Sequence, residues 1–259
     1  MALVVALAGV ALAWYAVRII ERHIPGCAVT GTGALPAVTL TVEQADNAAT
    51  IAAVGRRLGT PDHAVTVALA TAMQESNLRN LPGGDRDSAG LFQQRPSQNW
   101  GTRAQITDPV HAATAFYDHL RRLPDWQNVS VTQAAQQVQH SATPDAYARW
   151  EPQARVIASA LTGERSHALS CHGLTIKTPT ARLASTAIDE LGNARLTGVH
   201  DQATGWALGD WLVAHAARLG VDRVTFDGQT WTAATGRWSR TGRADGSLTL
   251  HDVGAARSG

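Results

Sequence analysis

ALATAMQESNLRNLPGGDRDSAGLFQQRPSQNWG, residues 68–101, decides how this chain is read. Its first part is a helical run of small apolar side chains that carries one acid, Glu75. Ala68 lies at i−7, Thr71 and Ala72 at i−4 and i−3, and Leu78 at i+3, so the carboxyl sits on an apolar stripe near the C-terminal end of a helix. Burial and the negative end of the helix dipole both disfavour its ionised form. Arg79, at i+4, acts the other way if it turns toward the acid. A carboxyl kept partly protonated near neutral pH is what donating a proton to a glycosidic oxygen requires. An exposed helix-end glutamate is the plainer alternative.

The second part is polar and small-sided, with Gly83-Gly84 and Ser88-Ala89-Gly90. Small residues let a bulky substrate approach the backbone. Gln93, Gln94 and Gln98 are neutral donors and acceptors suited to sugar hydroxyls and amides, and Trp100 offers a ring for stacking on a pyranose. A phosphate site would be more cationic.

Around this stretch, residues 41–163 read as nearly continuous helices. One starts at Thr41 and ends near Gly59. A second runs from Pro61, with Thr60 as N-cap, to about Arg79. Others cover Asp108–Leu120, Thr132–His140 and Pro144–Leu161. Glu75-Ser76, followed fifteen residues on by Gly90-Leu91-Phe92-Gln93, resembles the Glu-Ser and Gly-Leu-Met-Gln motifs of the lytic transglycosylase superfamily, which includes goose-type lysozyme-like proteins. The longer stretch is similar to an actinobacterial branch of it, and the likeness covers about residues 43–163.

The resemblance implies a lysozyme-like helical domain with Glu75 as the single catalytic acid. It implies cleavage of the β-1,4 bond between N-acetylmuramic acid and N-acetylglucosamine in peptidoglycan. It places Ser76, Gly90, Gln93, Gln94, Trp100, Gln139 and Tyr147 around the substrate and calls for no cofactor and no metal. Hydrolysing enzymes generally use a second carboxylate; Asp85, Asp87 and the distant Glu151 are the candidates. One departure stands out. The family's Ala-Tyr-Asn-Gly segment corresponds here to Gln137–Ser141, which has no tyrosine, so either Tyr147 or Gln139 fills that role. The intact Glu75 favours the enzyme, whereas the missing tyrosine favours the alternative, a non-catalytic wall-binding protein that keeps the cleft.

The flanks complete the organisation. Residues 1–17 carry no charge, and the apolar run to Ile20 is about 30 Å long as a helix, which predicts a membrane anchor or signal sequence over 1–20. Residues 21–40 and 166–179 read as Gly/Pro/Thr linkers on either side of a domain at 41–165. Cys27 and Cys171 stand in these linkers; in an exported protein they can form a disulfide, and otherwise they are two unrelated thiols.

Residues 180–256 read as a small α/β (α+β) accessory domain. It has helices over 181–191 and 206–219, a strand at Val221–Phe226, a turn at Asp227-Gly228, a partner strand at 230–232, and a last strand over 248–253. Through Leu212-Val213-Ala214, Leu219-Gly220-Val221 and the Trp231…Trp238 pair it resembles, weakly, a C-terminal domain of exported actinobacterial wall proteins. His200-Asp201 and His251-Asp252 do not amount to a metal set. Trp206, Trp211, Trp231 and Trp238 are core packing by default, with glycan stacking as the alternative.

The expected fold class is therefore mainly α, with the small accessory domain after an N-terminal membrane helix. The net charge of +1 argues against a basic nucleic-acid surface. Expected partners are peptidoglycan strands, the membrane through the N-terminal helix, and a secretion or conjugation apparatus. The expected location is the cell membrane, single-pass, with both domains facing the wall.

Overall fold

The structure, a computed structural model, describes residues 24–141 and 143–254. It is an α+β fold, 45% helix and 16% strand, with two antiparallel sheets, and this overturns the expectation of a mainly α chain. The anchor expected at 1–20 lies outside the described residues. Among the described residues no helix is long and apolar enough to cross a membrane.

The chain reads, in order, β1 (Gly26–Val29), β2 (Val38–Leu40), α1 (Val42–Arg57), α2 (Asp62–Ser76), α3 (Arg103–Ile106), α4 (Pro109–Arg122), α5 (Val131–Gln139), a 3₁₀ segment (Pro144–Trp150), α6 (Glu151–Leu161) and β3 (Leu169–His172). There follow α7 (Leu183–Leu191), β4 (Gly198–Val199), α8 (Gln202–Ala214), α9 (Ala216–Leu219), β5 (Val221–Phe226), β6 (Gln229–Thr232), β7 (Arg237–Arg240) and β8 (Ser247–Asp252).

The strand content was missed first in the supposed linkers. Both contain strands that pair in the order β2-β1-β3. Cys27, Val29, Val38, Leu40, Leu169 and Cys171 point into the core, while Ala28 and Thr39 face out. This is a period-2 pattern, but each run is only three or four residues long and is surrounded by Gly and Pro. Cys27 is register partner to Cys171, and the two form the expected disulfide.

The second sheet has the order β4-β8-β5-β6-β7. The β5–β6 turn is where the sequence put it: Asp227 and Gly228 have φ of 50° and 73°, as a two-residue hairpin turn of the primed type requires. β4 and β7 were not foreseen; Val199 and the β7 residues Arg237, Ser239 and Arg240 are exposed, which leaves little apolar alternation to read.

α1 starts as expected at Thr41, whose hydroxyl accepts from Gln44 N while the Gln44 side chain accepts from Thr41 N. At α2 the cap is Pro61 rather than Thr60, whose hydroxyl instead donates back to Gly55 O. α2 is buried along most of its length, and its alanines at 64, 68, 70 and 72 let neighbouring helices come close.

The two halves are not joined by a bare linker with few contacts across it. α1 packs against α7 and α8, and α6 against α8. At this junction the buried His215 bonds Asp46 of α1 through Nδ1 (2.5 Å) and Glu190 of α7 through Nε2 (2.9 Å). Arg218 reaches both acids, and Trp211 Nε1 donates to Glu190. Trp206, Trp211 and Trp231 are buried in the C-terminal core, and the indoles of Trp231 and Trp238 donate to Cys171 O and Leu169 O on β3. Trp206, Trp211 and Trp231 are therefore packing residues, and Trp238 is half-buried at the edge of that core.

Candidate functional site

α2 stops at Ser76, three residues earlier than its apolar spacing predicts. Asn77 and Leu78 both take left-handed conformations, φ 53° and 57°. Their carbonyls are caught by α1, where Gln44 Nε2 donates to Asn77 O at 2.9 Å and Asn47 Nδ2 to Leu78 O at 2.8 Å. Helix ends leave carbonyls without intrahelical donors, and here α1 supplies them. Glu75 thus sits in the last turn of a helix whose end is fastened.

The Glu75 carboxyl is half-buried. Tyr147 Oη donates to its Oε1 at 2.8 Å. Burial pushes the carboxyl above its ordinary value, and hydrogen bonds from Tyr147 and Gln139 partly oppose this. Burial, then the adjacent Glu75, push the Tyr147 hydroxyl well up, so it stays protonated and can donate. Tyr147 and Gln139, the two side chains put forward for this place, therefore both act on the Glu75 carboxyl. Gln139 also donates to Phe92 O at 2.8 Å, which ties α5 to the loop beyond α2.

The other predicted residues divide into two groups. Ser76 is buried; its hydroxyl donates to Leu91 O at 2.7 Å and to Ala72 O at 3.0 Å, binding the helix end to the Gly90-Leu91 turn. Gly90 has φ +80° and its backbone abuts Ile106 O, so a side chain there would collide. Gln94 is buried with its amide donating to Ala112 O. Trp100 is 9% exposed and stacked on His119 with ring centroids 3.9 Å apart. These four are framework, not free substrate contacts. Gln93 is half-buried and folds back on its own loop, donating to Gly90 O and accepting from Ser88.

The second-acid candidates are committed elsewhere. Asp87 accepts from Arg95 Nε at 2.8 Å and from the backbone and hydroxyl of Ser97, and Arg95 first, then Ser97, hold it far below the usual carboxylate range. Asp85 is largely exposed beside Arg86, and Glu151 pairs with Arg155.

One cluster at the acid was missed. Trp150 Nε1 and Arg149 Nη2 both donate to Gln74 Oε1, at 2.9 and 3.0 Å, and the guanidinium lies over the Trp150 ring at 4.9 Å. Gln74 precedes Glu75, and Trp150 follows Tyr147 by three residues in a 3₁₀ turn, where i and i+3 share a side. That spacing was the available signal. In the C-terminal part, His251 Nδ1 pairs with Asp222 at 2.6 Å, whereas His200 lies by α8.

The sequence model of one protein family, described as VldE, C-terminal domain, matches residues 159–252. The matched stretch begins near the end of α6 and takes in β3, α7–α9 and the whole five-stranded sheet. It covers well under half the chain and does not include Glu75. No curated protein matches the chain.

Proposed function

We propose that this protein is a peptidoglycan lytic transglycosylase in which Glu75 acts first as acid and then as base. The observation that carries the reading is one half-buried carboxyl, raised by burial, hydrogen-bonded by Tyr147 and set at a fastened helix end. Its protonated form gives a proton to the oxygen between N-acetylmuramic acid and N-acetylglucosamine, and the C1–O bond breaks through an oxocarbenium-like state. The resulting carboxylate then takes the proton of the muramic C6 hydroxyl as that oxygen bonds C1 and closes a 1,6-anhydro ring. The proton returns to Glu75, and no water is consumed.

Hydrolysis through a second carboxylate is the less supported course, because Asp87 is bound by Arg95 and Ser97 and Asp85 is largely exposed. The Cys27–Cys171 disulfide supports an extracytoplasmic site of action, where the wall substrate is found.

The test is Glu75→Gln, a nearly isosteric change that removes the proton. Release of soluble fragments from purified wall should fall by about 10²–10⁴-fold with the circular dichroism unchanged. A folded variant that keeps most of the rate would remove Glu75 from this role.

A further inference from the structure

A cleft of about 590 Å³ opens where the C-terminal end of α1 meets the loop after α7, β4 and the start of α8. Arg56, Arg57, Arg195, His200, Asp201 and Thr204 line it, and none of them belongs to the Glu75 site. Two of the charges are already used. Asp201 caps α8 by accepting from Thr204 N at 2.9 Å, and Arg56 donates to Thr162 O at 2.7 Å within the field of Asp62 and Asp201.

The other cations are not neutralised. Arg57 donates to Thr114 Oγ1 at 2.9 Å, and Arg195 makes a long bond to Val199 O at 3.5 Å. Among the described residues neither forms an ion pair. The Nε2 of His200 is covered and has no hydrogen-bond partner.

Two guanidiniums from separate elements thus line one cavity without a carboxylate of their own. A planar guanidinium matches phosphate and carboxylate oxygens with paired N–H donors. Clefts between packed units are favoured places for small ligands.

We propose that this cleft is a binding site for a small oxyanion-bearing ligand, one that presents phosphate or carboxylate groups to Arg57 and Arg195. The inference does not depend on the activity proposed for Glu75.

The experiment is isothermal titration of the full chain with inorganic pyrophosphate and with citrate, each against sodium chloride at matched ionic strength. Saturable binding of either probe is expected, about tenfold or more weaker in Arg57→Ala/Arg195→Ala. Tighter binding of pyrophosphate would identify a phosphate ligand, and tighter binding of citrate a carboxylate. If the double variant does not fold, Arg195→Ala carries the test, because its one bond is long and exposed. No saturable binding of either probe, or unchanged binding in the folded variant, would overturn the proposal.

Discussion

Glu75 and Tyr147 are 72 positions apart in sequence and 2.8 Å apart in space. The phenol donates to the carboxylate and therefore favours the charged form, against the burial that disfavours it. Removing the donor leaves burial less opposed. Tyr147→Phe is expected to raise the Glu75 pKa further and, in the proposed reaction, which the protonated acid starts, to move the alkaline limb of the pH–rate profile to higher pH. A profile that stays in place or moves to lower pH would contradict this arrangement. The acid itself was legible, because one carboxylic acid on a small apolar stripe is a local pattern. Its partners were legible only as alternatives, since that Gln139 and Tyr147 both reach the carboxyl depends on how α5 and the 3₁₀ segment pack. Gln94 and Trp100 looked like ligand contacts because amide and indole side chains suit sugars, but their burial is a tertiary property that spacing does not carry.

At the scale of elements, the helices were readable from caps and spacing, and Thr41 and Asp108 do cap α1 and α4. The short strands were not. β1 pairs with β2 locally and with β3 across about 144 residues, and the three short strands are stabilised by this pairing rather than by local preference, so their Gly/Pro/Thr surroundings read as linker. The Cys27–Cys171 bond staples that pairing and closes a loop with a sequence separation of 144. In the chain-entropy picture such a bond restricts the unfolded chain, by up to about 5 kcal/mol for a loop of this length. Cys27→Ser/Cys171→Ser should lower unfolding stability by about 2–5 kcal/mol in denaturant titrations, with the helical circular dichroism kept. No measurable change in the unfolding midpoint would show that the small sheet holds without its staple.

For the whole molecule, the junction built on His215 makes the two halves dependent on one another. Burial alone would lower the His215 pKa, but Glu190 and Asp46 outweigh it and raise it to about 9 from an ordinary value near 6.5. Those two acids, pushed up by burial, are brought below their usual range by His215 and Arg218. A histidine whose folded pKa is raised contributes stability that is fully present below its unfolded value and is lost as pH rises through the folded value. The His215 contribution should therefore be complete at about pH 6.5 and decline up to about pH 9, while that of the two depressed acids is lost only at acid pH. Urea unfolding across that window tests it. The decline should be absent in a folded His215→Ala, which should also be less stable by about 3–5 kcal/mol at pH 6, because two buried acids lose a partner. An equal pH dependence in wild type and variant would assign the effect elsewhere. Nothing in the sequence marked this junction: Asp46, Glu190, His215 and Arg218 come from three separate helical regions and meet only when α1, α7 and the α8–α9 corner pack.

In the proposed function one carboxyl, without water, opens the glycan strand. Mass spectrometry of the muropeptides released from purified wall tests it most directly. Wild-type protein should yield fragments ending in 1,6-anhydro-muramic acid, and Glu75→Gln should yield none above background. Fragments ending in reducing muramic acid, or a wild-type digest indistinguishable from untreated wall, would contradict the account.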